Sequence, residues 1–572
     1  MEPRILNNFV LELLNIRPCS EKSREYEFYN PRNGWIFLSS TADIKNPGSL
    51  IVSVSNKAGR IVTLMHEQRG LTTLEAMHFL SMGKYRVKVK CEGHSRLQHL
   101  IVRAVPEIIY CKFGYDPHVR EYGPYDWEFL RKYVLHSVNC IVGSGSESHK
   151  HFVEEWKRNG RKWIIECTVP GLRCEDITAE EAYEYWSKNI GFQDPLLDGI
   201  IADEFLSRDM KQYLAWIEAI KRLRENENLR NKVFYAYCGG DMYKTRLSTF
   251  FVKTLMKLGY KLAIEKYLSE QPTKEDAKRL LDSALVQTMK KWREIFPGVE
   301  RHVIICLGYM NAPPESLNVD PSVNYKVFLD MQFNVLANDP AFKDIFGIMT
   351  YTSGYADEEI VRWIGKLYRH YCIEGRREML SKDPYKLTHI ENPDFEEGLR
   401  GWTIYPAEKG SISVKSLEGY SWLQGRYPRT RRGDTFLWMK RSAKGPNVVV
   451  QTIRNLKPGE LYSLKMITAD YQDLMNGRSV KQKHVISIEL ENVELIPEKC
   501  FQHLFANCYS HHLGPFNDKH RAWMNYHVRV FRAKAETAKL IISDWLSKDE
   551  PGGPIGQELI LNFIEIQPYL PG

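Results

Sequence analysis

Apolar positions change their rhythm twice along the chain, and the changes divide it into three parts. In residues 1–104 they alternate with polar ones. Tyr85-Arg86-Val87-Lys88-Val89-Lys90 has period two, the pattern of a half-buried strand. Similar runs at 34–39, 50–55 and 60–66 are punctuated by turn formers such as Asn46-Pro47-Gly48 and Lys57-Ala58-Gly59. Short strands joined by turns predict an antiparallel β-sandwich. Residues 105–385 differ: apolar runs alternate with longer amphipathic segments. Eight strands are predicted at 107–112, 139–142, 163–167, 197–202, 233–237, 261–264, 302–307 and 345–350. Helices fall between them, for example at 179–190, 207–225, 244–258 and 274–296. The last places Ala277, Leu280, Leu281, Ala284, Leu285 and Met289 on one face. Strands apolar on both faces and separated by helices imply a parallel sheet. Eight such units match the roughly 250 residues of a closed (β/α)₈ TIM barrel. An open doubly wound sheet competes, but no Gly-rich phosphate loop follows any strand; Gly143-Ser144-Gly145-Ser146 is a lone Gly/Ser turn. In residues 386–572 short strands return with little helix, at 448–453, 523–531, 539–544 and 559–566, and predict a second sandwich of jelly-roll type. The fold class expected is therefore a multidomain α/β plus all-β chain, a central barrel flanked by two β-sandwich domains.

Composition narrows the function classes. Of 572 residues, 43% are hydrophobic and 26% charged, an ordinary globular balance. A net charge of +8, spread along the chain, gives no reason to expect nucleic acid as a partner. The short basic run Arg426, Arg429, Arg431, Arg432 reads as a solvated loop. No window holds the roughly 20 apolar residues of a membrane span, and no signal peptide is visible at the N-terminus. A soluble protein is expected, cytoplasmic or secreted with its signal removed. The 11 cysteines include no close-spaced zinc pairs; Cys111, Cys140, Cys167, Cys238 and Cys306 lie in or beside apolar runs and read as buried thiols. That usage fits a reducing compartment or a disulfide-poor secreted bacterial protein.

In a barrel of this kind chemistry gathers where the strands end, because the loops that follow them converge there. Strand four ends Ile200-Ile201-Ala202-Asp203-Glu204-Phe205, an apolar run closing on two adjacent carboxylates. Strand six offers Glu265 and strand three Glu166. Tyr237, Tyr309, Asn311 and Tyr351 follow strands five, seven and eight. Glu107 lies at the beginning of strand one and is the weaker candidate. Aromatic faces stack on sugar rings, amides and carboxylates take hydroxyls, and paired carboxylates supply the acid and the base or nucleophile of glycosidic cleavage. Glu204 is the expected acid/base, with Glu265 or Asp203 as its partner; Glu166, Tyr237, Tyr309, Asn311 and Tyr351 are the expected substrate contacts. No cofactor and no catalytic metal are expected. His118, His149 and His151 lack metal-ligand spacing. The competing readings are structural: Asp203-Glu204 capping a helix that begins near Ser207, Glu265 in a salt bridge, and the tyrosines packing the barrel.

These residues resemble a multidomain glycoside hydrolase, a catalytic barrel between a β-sandwich and a carbohydrate-binding module. The most specific stretch runs from Asn392 to Trp402, with Asn392, Phe395, Glu396, Gly398, Leu399 and Trp402 in the spacing that opens jelly-roll carbohydrate-binding modules. The resemblance implies a structural calcium near the first and last strands of that domain, held by Glu396 and an acidic residue of the closing segment. Asp198-Gly199-Ile200 is similar to the strand-four opening of chitinase-like barrels, but their D-x-D-x-E does not follow. Adjacent Asp203-Glu204 is closer to the hexosaminidase dyad, in which the Asp orients a substrate acetamido group, although that family's glycine and histidine signature is missing. The Asn-Glu ending of strand four and the Glu after strand seven of the large retaining clan are not found either. The resemblance implies hydrolysis of a polysaccharide or oligosaccharide and assigns no family. A non-catalytic carbohydrate-binding scaffold and a polysaccharide lyase are the alternatives. Homo-oligomers stay open, since accessory sandwiches mediate dimers in such enzymes.

Overall fold

The computed structural model describes residues 3–18, 23–173, 176–427, 430–507, 515–517 and 519–572. Its centre is a closed barrel of eight parallel strands: Glu107–Cys111, Cys140–Gly143, Lys162–Thr168, Gly199–Leu206, Val233–Gly239, Lys261–Lys266, Val303–Gly308 and Gly347–Tyr351. The last pairs with the first, Met349 opposite Ile109, which closes the ring. All eight coincide with the apolar runs of the sequence, shifted by a residue or two at their ends, except that strand four runs four residues further than expected, to Leu206. Side-chain parity then sorts the two faces. Ile109, Cys140, Ile164, Ile201, Tyr235, Ala263, Ile304 and Met349 fill the interior, while Ile108, Ile141, Ile165, Ile200, Phe234, Leu262, Ile305 and Ile348 meet the surrounding helices. The barrel is a packed core, not a pore.

The helices follow their local signals. Ala179–Ser187 opens on a capping box, Thr178 with Glu181. Arg246–Leu258 ends at Gly259, whose φ of 79° is the left-handed turn a glycine makes without strain. The helix after strand four begins at Gln212 rather than near Ser207, so Asp203 and Glu204 do not cap it. The segment expected as one helix over 274–296 is Lys274–Leu281 and Thr288–Ile295 joined by a π-helical turn at Asp282–Gln287.

The N-terminal region is built differently from four short runs. Gly34–Asn56 and Gly83–Val105 are continuous strands of 23 residues, paired along their length. Asn46-Pro47-Gly48 is no strand end but an irregularity inside the first of them, between Lys45 and Gly48, where the sheet bends. One half of the long pair takes Gly70–Leu80 and Leu11–Ile16 as neighbours; the other takes Gly59–His66 and Ser23–Asn30. The halves share one core, which includes Leu38, Val52, Val87 and Val102. Pro106 alone separates this sheet from the first barrel strand.

At the other end a four-stranded sheet and a seven-stranded sheet enclose a core of Leu437, Leu464, Leu540 and Leu561. The 392–402 stretch is a plug at its edge. The Asn392 amide donates to the Gly398 carbonyl at 2.9 Å, and Phe395 packs on Trp402 with ring centres 5.1 Å apart. Arg426, expected in a solvated loop, is buried: its guanidinium grips both oxygens of Asp394 at 2.6 and 2.9 Å and reaches the Val319 carbonyl of the barrel. Arg432 pairs with Asp320 at 2.8 Å, while Arg429 lies outside the described residues. Among the described residues no helix is long and apolar enough to cross a membrane.

Candidate active site

At the C-terminal end of the barrel a cavity of about 130 Å³ is lined by Glu166, Asp203, Glu204, Glu265 and Glu315, with Tyr237, Tyr267, Tyr351 and Tyr355 around them. Most of these positions follow from parity. Glu166 continues Ile164 on strand three; Glu265 and Tyr267 continue Ala263 on strand six; Tyr351 continues Met349 on strand eight.

Strand four breaks parity, and the break gives the cavity one of its carboxylates. Ile201 and Asp203 point inward, so Glu204 would face the helices and Phe205 the cavity in a regular strand. Instead the pairing with strand five slips between Ala202 and Phe205. Glu204 takes a φ of 69°, the left-handed region that costs a side-chain-bearing residue about 1–2 kcal/mol. This bulge turns Glu204 to the mouth beside Asp203 and returns Phe205 to the outer layer, against Trp216 and Phe251. Backbone strain held in place by surrounding structure is concentrated at functional sites.

Crowding shapes the electrostatics. Burial, reinforced by the charges of Glu166 and Glu204, pushes the Asp203 carboxyl up to about 7. Burial likewise raises Glu265 to about 7; a hydrogen bond from Tyr237 opposes the rise, and Glu204, Asp203 and Glu315 add to it. Burial takes Glu315 to about 7 as well. Lys112 holds Glu166 at 2.9 Å. Asp203, Glu265 and Glu315 therefore retain protons near neutral pH, the condition for a carboxylic acid to act as a proton donor. Cys111 also lines the cavity, but burial and the nearby acids hold its thiol well above the usual range, in the un-ionised form.

Of the residues singled out in the sequence, Glu166, Asp203, Glu204, Glu265, Tyr237 and Tyr351 meet at this cavity. Tyr309 and Asn311 do not. Tyr309 shares the parity of Ile305 and Leu307 and is buried on the helix side. Asn311 donates to Asp357 at 2.7 Å, and Asp357 also holds Lys465 of the C-terminal sheets at 2.8 Å, so this amide belongs to the junction between barrel and sandwich. Glu107 sits at the opposite end of the barrel, fully buried, with Lys162 at 2.8 Å. His302 is a packing residue, its Nδ1 at 2.9 Å from the Tyr260 carbonyl.

Sequence reasoning missed Glu315 and Tyr267. Tyr267 was available from parity. Glu315 was not: the strand ends at Gly308, and a small hairpin, Asn311–Ala312 with Glu315–Ser316, carries the carboxylate back over the mouth. The hairpin is held from outside the barrel, Ser316 N–H donating to the Gly425 carbonyl and Tyr427 N–H to the Ser316 carbonyl. A glutamate after strand seven is thus present, contrary to the expectation.

Glu396, which the resemblance implies as a calcium ligand, already has a partner. Glu396 accepts from the Gly433 N–H at 2.7 Å, and neighbouring Asp394 is taken up by Arg426. Among the described residues no three His, Cys, Asp or Glu side chains form a group that could hold a metal ion.

The chain is similar in structure to a Paenibacillus sp. cycloisomaltooligosaccharide glucanotransferase (8% identity, 97% of this chain and 70% of that one, TM-score 0.34). It is also similar to the catalytic domain of a Pyrococcus furiosus chitinase (12% identity, 48% of this chain and 98% of that one, TM-score 0.33). A third is Bacteroides uniformis β-glucuronidase 2 (10% identity, 94% of this chain and 80% of that one, TM-score 0.31). No family model matches the chain, and no curated protein matches its sequence.

Proposed function

We propose that the protein is a glycoside hydrolase whose acid/base chemistry is carried by Glu265, Asp203 and Glu204. The observation that carries this reading is the convergence of carboxylates from strands three, four and six and from the strand-seven hairpin on one tyrosine-lined cavity. Cleavage of a glycosidic bond needs a proton for the departing oxygen and a carboxylate to attack the anomeric carbon or activate water. Glu265, held protonated to about 7, suits the first role. Glu204, exposed at the mouth on a strained turn, suits the second. From sequence, Glu204 is the expected acid/base with Glu265 or Asp203 as its partner; here the proton-donating part passes to Glu265. Asp203 either assists Glu204 or, with an N-acetylated sugar, orients the acetamido group as an internal nucleophile. The stacked pair Tyr267 and Tyr351, 5.7 Å apart and 13° from parallel, makes an apolar wall for a sugar face.

The test is release of reducing ends from a panel of polysaccharides and oligosaccharides by the wild type and by Glu265→Gln. Cleavage of at least one glycan, reduced about 100-fold or more in the variant, is expected for a lost proton donor. Binding without cleavage by the wild type would favour the scaffold alternative, and an unsaturated product the lyase.

A further inference from the structure

Packed side chains close the opposite end of the barrel, but a crevice remains beside it. Between its floor and the N-terminal sheet lies a cavity of about 720 Å³, walled in part by Phe9, Val10 and Trp35. Its charged lining is unbalanced: Arg32, Lys261, Arg301 and Lys343 face Glu107 and Asp344. Glu107 is fully engaged, accepting from Lys162 at 2.8 Å, Trp35 at 3.0 Å and the Tyr235 hydroxyl. Asp344 stands 3.8 Å from Arg32 with half its side chain in water. Lys261 lies 4.2 Å from the centre of the Phe346 ring and donates only to the Arg301 carbonyl, at 3.1 Å; among the described residues it has no ion pair. A neighbouring cavity of about 490 Å³ shares Lys261 and Phe346, adds Arg224, Arg230 and Lys232, and has no carboxylate in its lining.

We propose that this crevice is a binding site for a small, multiply charged oxyanion of the phosphate or sulfate ester class. Cations gathered against low-dielectric walls focus a positive potential that a bound anion relieves. Guanidinium and ammonium donors together match tetrahedral oxyanions, the arginines in pairs of hydrogen bonds and the lysines as point charges. Burial pushes Lys261 down to about 8 and lowers Arg32, so both charges are held there at a cost that an anion would offset. The carboxylate cavity at the other end repels the same ligand, which separates the two sites chemically.

Calorimetric titration of the full chain with pyrophosphate, against chloride at matched ionic strength, tests the proposal. Saturable binding is expected, weakened at least about tenfold by Lys261→Met and by Arg32→Met. Lys343→Ala, on the exposed rim, decides the matter if the Lys261 and Arg32 substitutions disturb folding: a loss of about threefold or more is expected. No heat beyond the chloride control, or full affinity in Lys261→Met and Lys343→Ala, overturns it.

Discussion

Replacing Glu265 by glutamine keeps the side chain's shape and removes its proton. An ordinary glutamate, with its value near 4.5, would be protonated in only about 0.3% of molecules at pH 7; raised to about 7, Glu265 is protonated in about half. The cavity thus increases the population of acid at neutral pH by about 150-fold. With Glu265 in its proposed role as the acid, kcat/KM should fall on the alkaline side, about tenfold per pH unit above 7. In Glu265→Gln the rate should drop by about 10²–10⁴ and lose that alkaline limb. An aryl glycoside of the same sugar, whose leaving group needs no proton, should recover most of the lost rate. The assay is the pH profile of kcat/KM for both enzymes on both substrates. A variant that keeps the limb, or loses as much on the aryl glycoside as on the natural linkage, would refute the assignment of Glu265 as the acid.

Two neighbours should move that limb in opposite directions. Tyr237→Phe deletes a hydrogen bond that stabilises the Glu265 carboxylate, so the limb shifts to higher pH, while Asp203→Asn removes a like charge and shifts it lower. The strained bulge predicts that Glu204→Gly withstands more urea than Glu204→Ala, by about 1 kcal/mol, because only glycine takes a φ of 69° freely; equal midpoints would mean the bulge relaxes. Arg426→Met leaves Asp394 buried and unpaired and should cost about 3–5 kcal/mol in urea unfolding, with Asp394→Asn in the same chain restoring part of it.

The barrel was legible because its eight strands are apolar on both faces and read as unbroken runs. The carboxylates at strand ends were legible for a related reason: an apolar run that stops on Asp203-Glu204, or carries Glu265 at its end, contrasts with everything before it. Periodicity could not reveal the bulge, since it depends on a register slip against strand five. It could not place Glu315 either, because that hairpin is positioned by backbone pairing with residues more than one hundred positions later. Tyr309 and Asn311 were misplaced by treating every polar residue after a strand as cavity-facing. Strand parity excludes Tyr309, and Asn311 is claimed by Asp357 in a junction invisible until the C-terminal sheets are docked. In the N-terminal region the turn-forming Asn46-Pro47-Gly48 looked like a strand end; a long strand with a bulge uses the same residues to bend.

In the proposed reaction this carboxylate cavity adds water across a glycosidic bond. Following the wild type by proton NMR on a cleaved glycan tests it most directly. New hemiacetal anomeric resonances are expected, of one configuration at first, that fail to appear with Glu265→Gln. Resonances of an unsaturated sugar, or hemiacetal signals at the wild-type rate with that variant, would contradict it.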